Sequence, residues 1–326
     1  LLVSVYESFC PESHQGFNFQ GCEIIAYIFQ VQSNYQTNKL NWYIIVSNSS
    51  VICILLTIKI DIMGSSASSA LRTNKDIIQK HILSNQDSGT KVTILNTNDT
   101  DNHDEIQNKC KFITDCFIGN PIKDNIDPLM LWIVDEDGLT IEERNARLHR
   151  MVLYMISWVT IPLFKSGIIL QVHDDAGELA GIATLLPPGA WKQSIFSTIQ
   201  LAIQQGRPPC DEMQNIWGIN TNKRFNSVAI TEEYKAKYDK EYDGFWYLQT
   251  IGTSIYARGK GYGGHLLRII CKISNYFNKC IYLETESLNN VKLYEKYGFI
   301  NIECIILEEK SNKPYKMYLM LRKPQI

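Results

Sequence analysis

Arg258-Gly259-Lys260-Gly261-Tyr262-Gly263-Gly264 decides how this sequence reads. It follows a strand-like run over 245–255. It opens an amphipathic segment over 262–277, with Tyr262, Leu266, Ile270, Ile273 and Phe277 on one helical face. Four glycines within residues 259–264 let the backbone turn sharply and approach a ligand with no Cβ between. Successive N–H groups and a helix N-terminus then face an anion together, and phosphate suits such a cradle. Arg258 and Lys260 add positive charge at its rim.

Two phosphate patterns fit the loop. Gly259-x-Gly261-x-x-Gly264, with Glu284 20 residues further on, matches a dinucleotide fingerprint and would make the chain an NAD(P)-dependent oxidoreductase. Such a fold repeats βα units after its fingerprint, and only about sixty residues follow Gly264. Upstream lies a hairpin instead, with strands over 167–172 and 178–186 joined by Asp174-Asp175-Ala176-Gly177. A short strand is expected over 91–95. A helix should carry Ile106, Cys110, Ile113 and Phe117 before Gly119-Asn120-Pro121, and another should run over 141–160 until Pro162 stops it. Residues 191–244 read as helical and irregular, with a stripe of Ile195, Phe196, Ile199 and Ile203 broken over 206–209. After the loop helix come a strand over 281–284, a short helix over 289–297, and strands over 300–307 and 317–321. That order predicts an α/β protein with a mixed sheet and helices on its faces.

A second motif follows. Asn290-Val291-Lys292-Leu293-Tyr294-Glu295-Lys296-Tyr297-Gly298-Phe299 is a short helix ended by a glycine suited to a left-handed cap, then a buried strand. With the R/Q-x-x-G-x-G/A pattern met by Arg258, Gly261 and Gly263, this N-x-x-x-Y-x-x-x-G-F run resembles the GNAT N-acetyltransferases. The resemblance covers residues 91–326. Gly177-Glu178-Leu179-Ala180-Gly181, Leu186-Pro187-Pro188-Gly189 and Trp246-Tyr247-Leu248-Gln249 look like the puromycin-type branch.

The resemblance implies a GNAT-like acyl-CoA N-acyltransferase fold, a mostly antiparallel sheet with helices on both faces. It implies transfer of an acetyl group from acetyl-CoA, as co-substrate, to an amine of a small molecule or peptide by direct attack, with no metal. By the same resemblance, amides of Arg258, Gly259, Lys260, Gly261, Tyr262, Gly263 and Gly264 hold the CoA diphosphate. Thr250, Ile251, Gly252, Thr253 and Ser254 pair with the pantetheine arm as though it were a strand. Asn290 contacts that arm, and Tyr294 protonates the departing thiolate. No acid lies within 245–255, so Glu284 is the candidate general base, with Asp243 behind it. His265, His173, Cys271 and Cys280 lie where nothing equips them for the chemistry. A CoA-binding regulatory module with little turnover is the alternative reading.

A net charge of −2 gives no general attraction to nucleic acid. Nine cysteines without a C-x-x-C pair suit reduced thiols in a cytoplasmic protein. Residues 1–62 show no helical period; they are unassigned and expected to be extra translated sequence ahead of a start at Met63. Residues 63–90 are expected to form a flexible leader. Met63-Gly64-Ser65-Ser66-Ala67-Ser68 fits an N-myristoylation pattern, and an acyl chain on Gly64 would give weak membrane association.

Overall fold

The computed structural model describes residues 16–19, 22–34, 39–47, 54–61, 64–84, 86, 91–95, 103–119, 126–134, 139–192, 221–308 and 314–325. The chain divides into two units, Leu1–Ala70 and Leu71–Ile326. In the first, strands β1 (Gly16–Phe19), β2 (Cys22–Asn34), β3 (Lys39–Ser47) and β4 (Ile54–Asp61) form an antiparallel sheet in chain order. This region, unassigned from sequence, lacks a helical period because its Ile-, Val- and Tyr-rich runs are strands.

Over residues 64–83 the expected flexible leader is corrected. Helix α1 (Gly64–Ile77) continues as a wider-turned π segment over Ile78–Leu83. Leu71, Ile78 and Ile82 recur at helical spacing and are buried with Leu83 in the core of the second unit. Burial of that stripe, not Ser/Ala composition, decides the segment.

The second unit is built on a seven-stranded sheet in the order β10-β11-β9-β8-β7-β6-β5. Its strands are β5 (Val92–Ile94), β6 (Ile168–His173), β7 (Leu179–Leu186), β8 (Phe245–Thr253), β9 (Cys280–Thr285), β10 (Ile300–Leu307) and β11 (Tyr315–Arg322). Every neighbouring pair is antiparallel except β8 with β9. A doubly wound dinucleotide fold needs a mostly parallel sheet, so the fingerprint is not used as one here.

Both faces are covered, which is why the strands read as nearly continuous apolar runs. Alternate residues part to opposite sides: Ile169, Ile182, Phe245, Tyr247 and Tyr282 join one core, and Leu170, Ala183, Trp246, Leu248 and Ile281 the other. Helices α2 (His103–Ile118), α3 (Pro128–Ile133) and α4 (Ile141–Ser166) contribute to the first core, as does Tyr238 of α6 (Thr231–Glu241), which follows α5 (Thr221–Val228). The second core is filled by α1, α7 (Tyr262–Phe277) and α8 (Leu288–Glu295). The fold is a mixed, mostly antiparallel sheet between two helical layers, the architecture that the resemblance implied.

Helix α4 runs through Pro162 to Ser166 rather than stopping. Proline removes one backbone bond to the preceding turn, and a long helix packed on a sheet can bear that loss. The stripe at Ile195, Phe196, Ile199 and Ile203 lies outside the described residues. No described helix is long and apolar enough to cross a membrane.

Candidate active site

Strands β8 and β9 pair over only three residues, Phe245 with Cys280, Trp246 with Ile281 and Tyr247 with Tyr282. Beyond Tyr247 the two separate. β8 stays with β7 as far as Thr253, while β9 stays with β11 through Thr285. A bulge between β7 and β8 falls at the same level: Thr184 opposes Thr250 and Leu185 opposes Leu248, leaving Gln249 unopposed. Bulges bend a strand and end pairing on one side, which opens the sheet here. The result is a cleft of about 400 Å³.

One wall is β8 from Leu248 to Thr253; the other holds Glu284, Thr285, Glu286 and Ser287. The N-terminal turn of α7 contributes Gly263 and Leu267, and α8 contributes Asn290, Leu293 and Tyr294. Cys116 and Phe117, at the end of α2, and Asp127 and Pro128, at the start of α3, complete the lining. Of the residues singled out from sequence, the cleft gathers Thr250, Ile251, Gly252, Thr253, Arg258, Gly263, Glu284, Asn290 and Tyr294.

The glycine loop takes a left-handed backbone where its glycines stand. Gly259 has φ +78 and Gly261, the N-cap of α7, has φ +89, a region that side chains rarely occupy. His265 N–H bonds the Gly261 carbonyl and Lys260 N–H the Ala257 carbonyl. Among the described residues, the amides of Gly259, Gly261, Tyr262, Gly263 and Gly264 bond no backbone carbonyl. These are the donors that a helix start leaves over. Gly264 is glycine for a different reason, since a Cβ there would lie 2.5 Å from the Tyr297 hydroxyl. Arg258 donates to the Cys116 carbonyl at 2.7 Å and so ties the loop to the end of α2.

Gly252 admits that helix end. A Cβ at 252 would sit 2.7 Å from the Cys116 Cβ. Gly252→Ala is expected to destabilise the fold by about 1–3 kcal/mol, read in denaturant unfolding. An unchanged midpoint would mean that α2 yields freely at this wall.

Two carboxyl groups that sequence reasoning passed over stand opposite each other in the cleft. Asp127 caps α3, its Oδ1 accepting from the amides of Leu129 (3.0 Å) and Met130 (3.1 Å). Its carboxyl also bonds Glu286, just past β9. Burial first, and then the Asp127 charge, push Glu286 up to about 9. Burial raises Asp127 as well, against its bonds to Glu286 and the two amides. In sequence Asp127-Pro128 reads only as a helix start, and no local signal ties it to Glu286.

Tyr294 is buried, 7% exposed, with its ring 5.6 Å from that of Phe299. Burial, then the charges of Glu286 and Asp127, hold its phenol well above the ordinary range. Gly298, at φ +83, ends the helix behind it. Glu284 is raised by burial, opposed by the Lys235 ammonium 4.0 Å away. Asp243 is engaged with Lys279 at 2.7 Å in the turn before β8. Cys110, Cys116, Cys271, Cys280 and Cys304 are free thiols, and burial raises Cys116 to about 12 and keeps Cys271 and Cys280 above the usual range. They are packing residues. No metal-ligating cluster occurs among the described residues.

No protein-family model matches the chain. It is 28% identical over 178 residues to an uncharacterized N-acetyltransferase of Schizosaccharomyces pombe, a match covering 54% of this chain and 68% of that one. Similar solved structures include arylalkylamine N-acetyltransferase 2 of Aedes aegypti, at 14% identity and TM-score 0.45 over 73% of this chain and 100% of that one. Another is the histone acetyltransferase HPA2 and related acetyltransferase of Corynebacterium glutamicum, at 18% identity and TM-score 0.40 over 73% and 97%. With the two motifs, the Schizosaccharomyces pombe relative makes this chain similar to the N-acetyltransferases and marks it as an acyltransferase.

Proposed function

We propose that the chain moves an acetyl group from acetyl-CoA to an amine by direct attack on the thioester. The observation that carries this is that the amides of Gly259, Gly261, Tyr262, Gly263 and Gly264, which bond no backbone carbonyl, follow directly on the edge that β8 exposes where β9 leaves it. A diphosphate fits the amides and the helix start. An extended thiol arm fits the strand edge, where main-chain groups make the bonds. Asn290 lines the cleft beside that edge. Holding thioester and amine together supplies much of the acceleration, on the order of 7–11 kcal/mol in favourable cases. A phenol kept protonated by burial suits Tyr294 to protonate the leaving thiolate. Residence in the cytoplasm belongs to the same proposal, as does reversible membrane contact through an acyl chain on Gly64 in a chain whose translation starts at Met63.

Calorimetry with CoA, followed by release of free thiol from acetyl-CoA with a panel of amines, tests it. Micromolar binding and amine-dependent thiol release are expected. Absence of CoA binding would refute the site; binding without turnover would leave a CoA-responsive module.

A further inference from the structure

The cleft holds more acid than a CoA site needs. Asp127, Glu284 and Glu286 all line it. Glu284 has a cation facing it, since Lys235 lies 4.0 Å away with its ammonium over the Tyr247 ring. Asp127 and Glu286 have each other. They come from opposite sides, one at the start of α3 and one just past β9, and bond each other in the cleft that Tyr294 also lines. Beside them Thr285, 2% exposed and also lining the cleft, has a hydroxyl with no hydrogen-bond partner among the described residues.

We infer that the Asp127–Glu286 pair receives the acceptor as an ammonium ion and takes its proton, so that the substrate is an alkylamine cationic at neutral pH. This rests on the acetyl-transfer reading and adds the acceptor class and the base to it.

The groups around the pair favour one shared proton. Tyr294 of α8 and Tyr315 of β11 feel both carboxyl charges and are held protonated. Trp132 of α3 stacks on Tyr315 at 4.9 Å and closes that side. Arg258 and Cys116 line the cleft from the loop and α2, and Glu284 from β9. Two carboxyls in such surroundings do not both ionise near neutrality, and their protons belong to the pair. The two amides on Asp127 Oδ1 favour Asp127 as the ionised member and Glu286 as the acid.

The protons balance as follows. The carboxylate takes one proton from the ammonium and passes it to solvent. The freed nitrogen attacks the thioester carbonyl, forming the C–N bond; collapse breaks the C–S bond. The second proton leaves nitrogen for the emptied carboxylate as the amide forms, the CoA sulfur gains one from Tyr294, and the carboxyl's proton, passed on through solvent, restores the phenol.

Removing one carboxyl leaves the other free of its like-charged neighbour, so each single variant keeps a base. Asp127→Asn retains the helix cap and Glu286→Gln the hydrogen bond. Each is expected to lower kcat with ethylamine roughly tenfold, and the double variant on the order of 10²–10⁴-fold, with the acetyl-CoA KM nearly unchanged. In the double variant the rate should climb about tenfold per pH unit toward the amine's own range, because only pre-neutralised amine reacts. With trifluoroethylamine, already neutral at pH 7, its deficit should largely vanish. Equal losses with both amines, or a double variant as active as wild type, would overturn the assignment while leaving acetyl transfer standing. Wild-type protein that binds CoA but acetylates neither amine would remove both.

Discussion

Gly261→Val is expected to weaken CoA binding by roughly tenfold to a hundredfold. The expectation is conformational, since a Cβ built at Gly261 meets nothing within 4 Å. What valine cannot do is hold φ +89 at the N-cap of α7. A left-handed backbone costs an ordinary residue on the order of 1–2 kcal/mol, and a β-branched one more. Either the loop keeps its shape and global stability falls, or it relaxes and the amides of Tyr262 and Gly263 turn away. Each 1.4 kcal/mol is a factor of ten in affinity. Asparagine tolerates the left-handed region, so Gly261→Asn should retain most of the binding that valine loses. Calorimetry with CoA and denaturant unfolding on both variants separate the two routes. If valine leaves affinity and stability both intact, the loop is not the diphosphate cradle.

How far such a loop can be read from sequence depends on how local its causes are. Helix α7 has the bounds its apolar stripe predicts, Tyr262–Phe277, and β10 the bounds of its alternating run, Ile300–Leu307. Both are set by periodicity within one segment. The glycine loop was legible for the same reason. Gly252 was not seen as a contact point, because its cause is Cys116, far away in the chain. Arg258 illustrates this too: sequence gave it a charge near phosphate, whereas the fold gives its guanidinium a carbonyl at the end of α2. Asp127 and Glu286 were hidden most completely. Each has an adequate local explanation, a helix cap and a residue after a strand, and only the separation of β8 from β9 brings them into one cleft. The helix over Gly64–Leu83 was missed by weighing composition above the spacing of Leu71, Ile78 and Ile82.

Tyr294→Phe should lower kcat by about 10²-fold or more while changing the acetyl-CoA KM little, because general acids contribute roughly 10²–10⁴-fold. Phenylalanine keeps the ring that packs on Phe299 and loses only the hydroxyl, so packing alone predicts a small effect. The direction of the Tyr294 shift matters to the argument. A phenol raised by burial and by the neighbouring carboxyl charges is protonated throughout the working range and serves as a donor. The thiolate it meets takes up a proton below about pH 8.5, taking an ordinary thiol as guide, and persists without one above that. The deficit of the variant should therefore be largest near neutral pH and narrow as pH rises past that range. The wild type should show no loss from phenol ionisation there, because its raised pKa keeps the proton on. Steady-state rates from pH 6.5 to 9.5 with a saturating amine, for wild type and variant, read this out. A deficit constant across that range would assign Tyr294 to holding the site's shape, and the proton for the sulfur would have to come from solvent or from the Asp127–Glu286 pair.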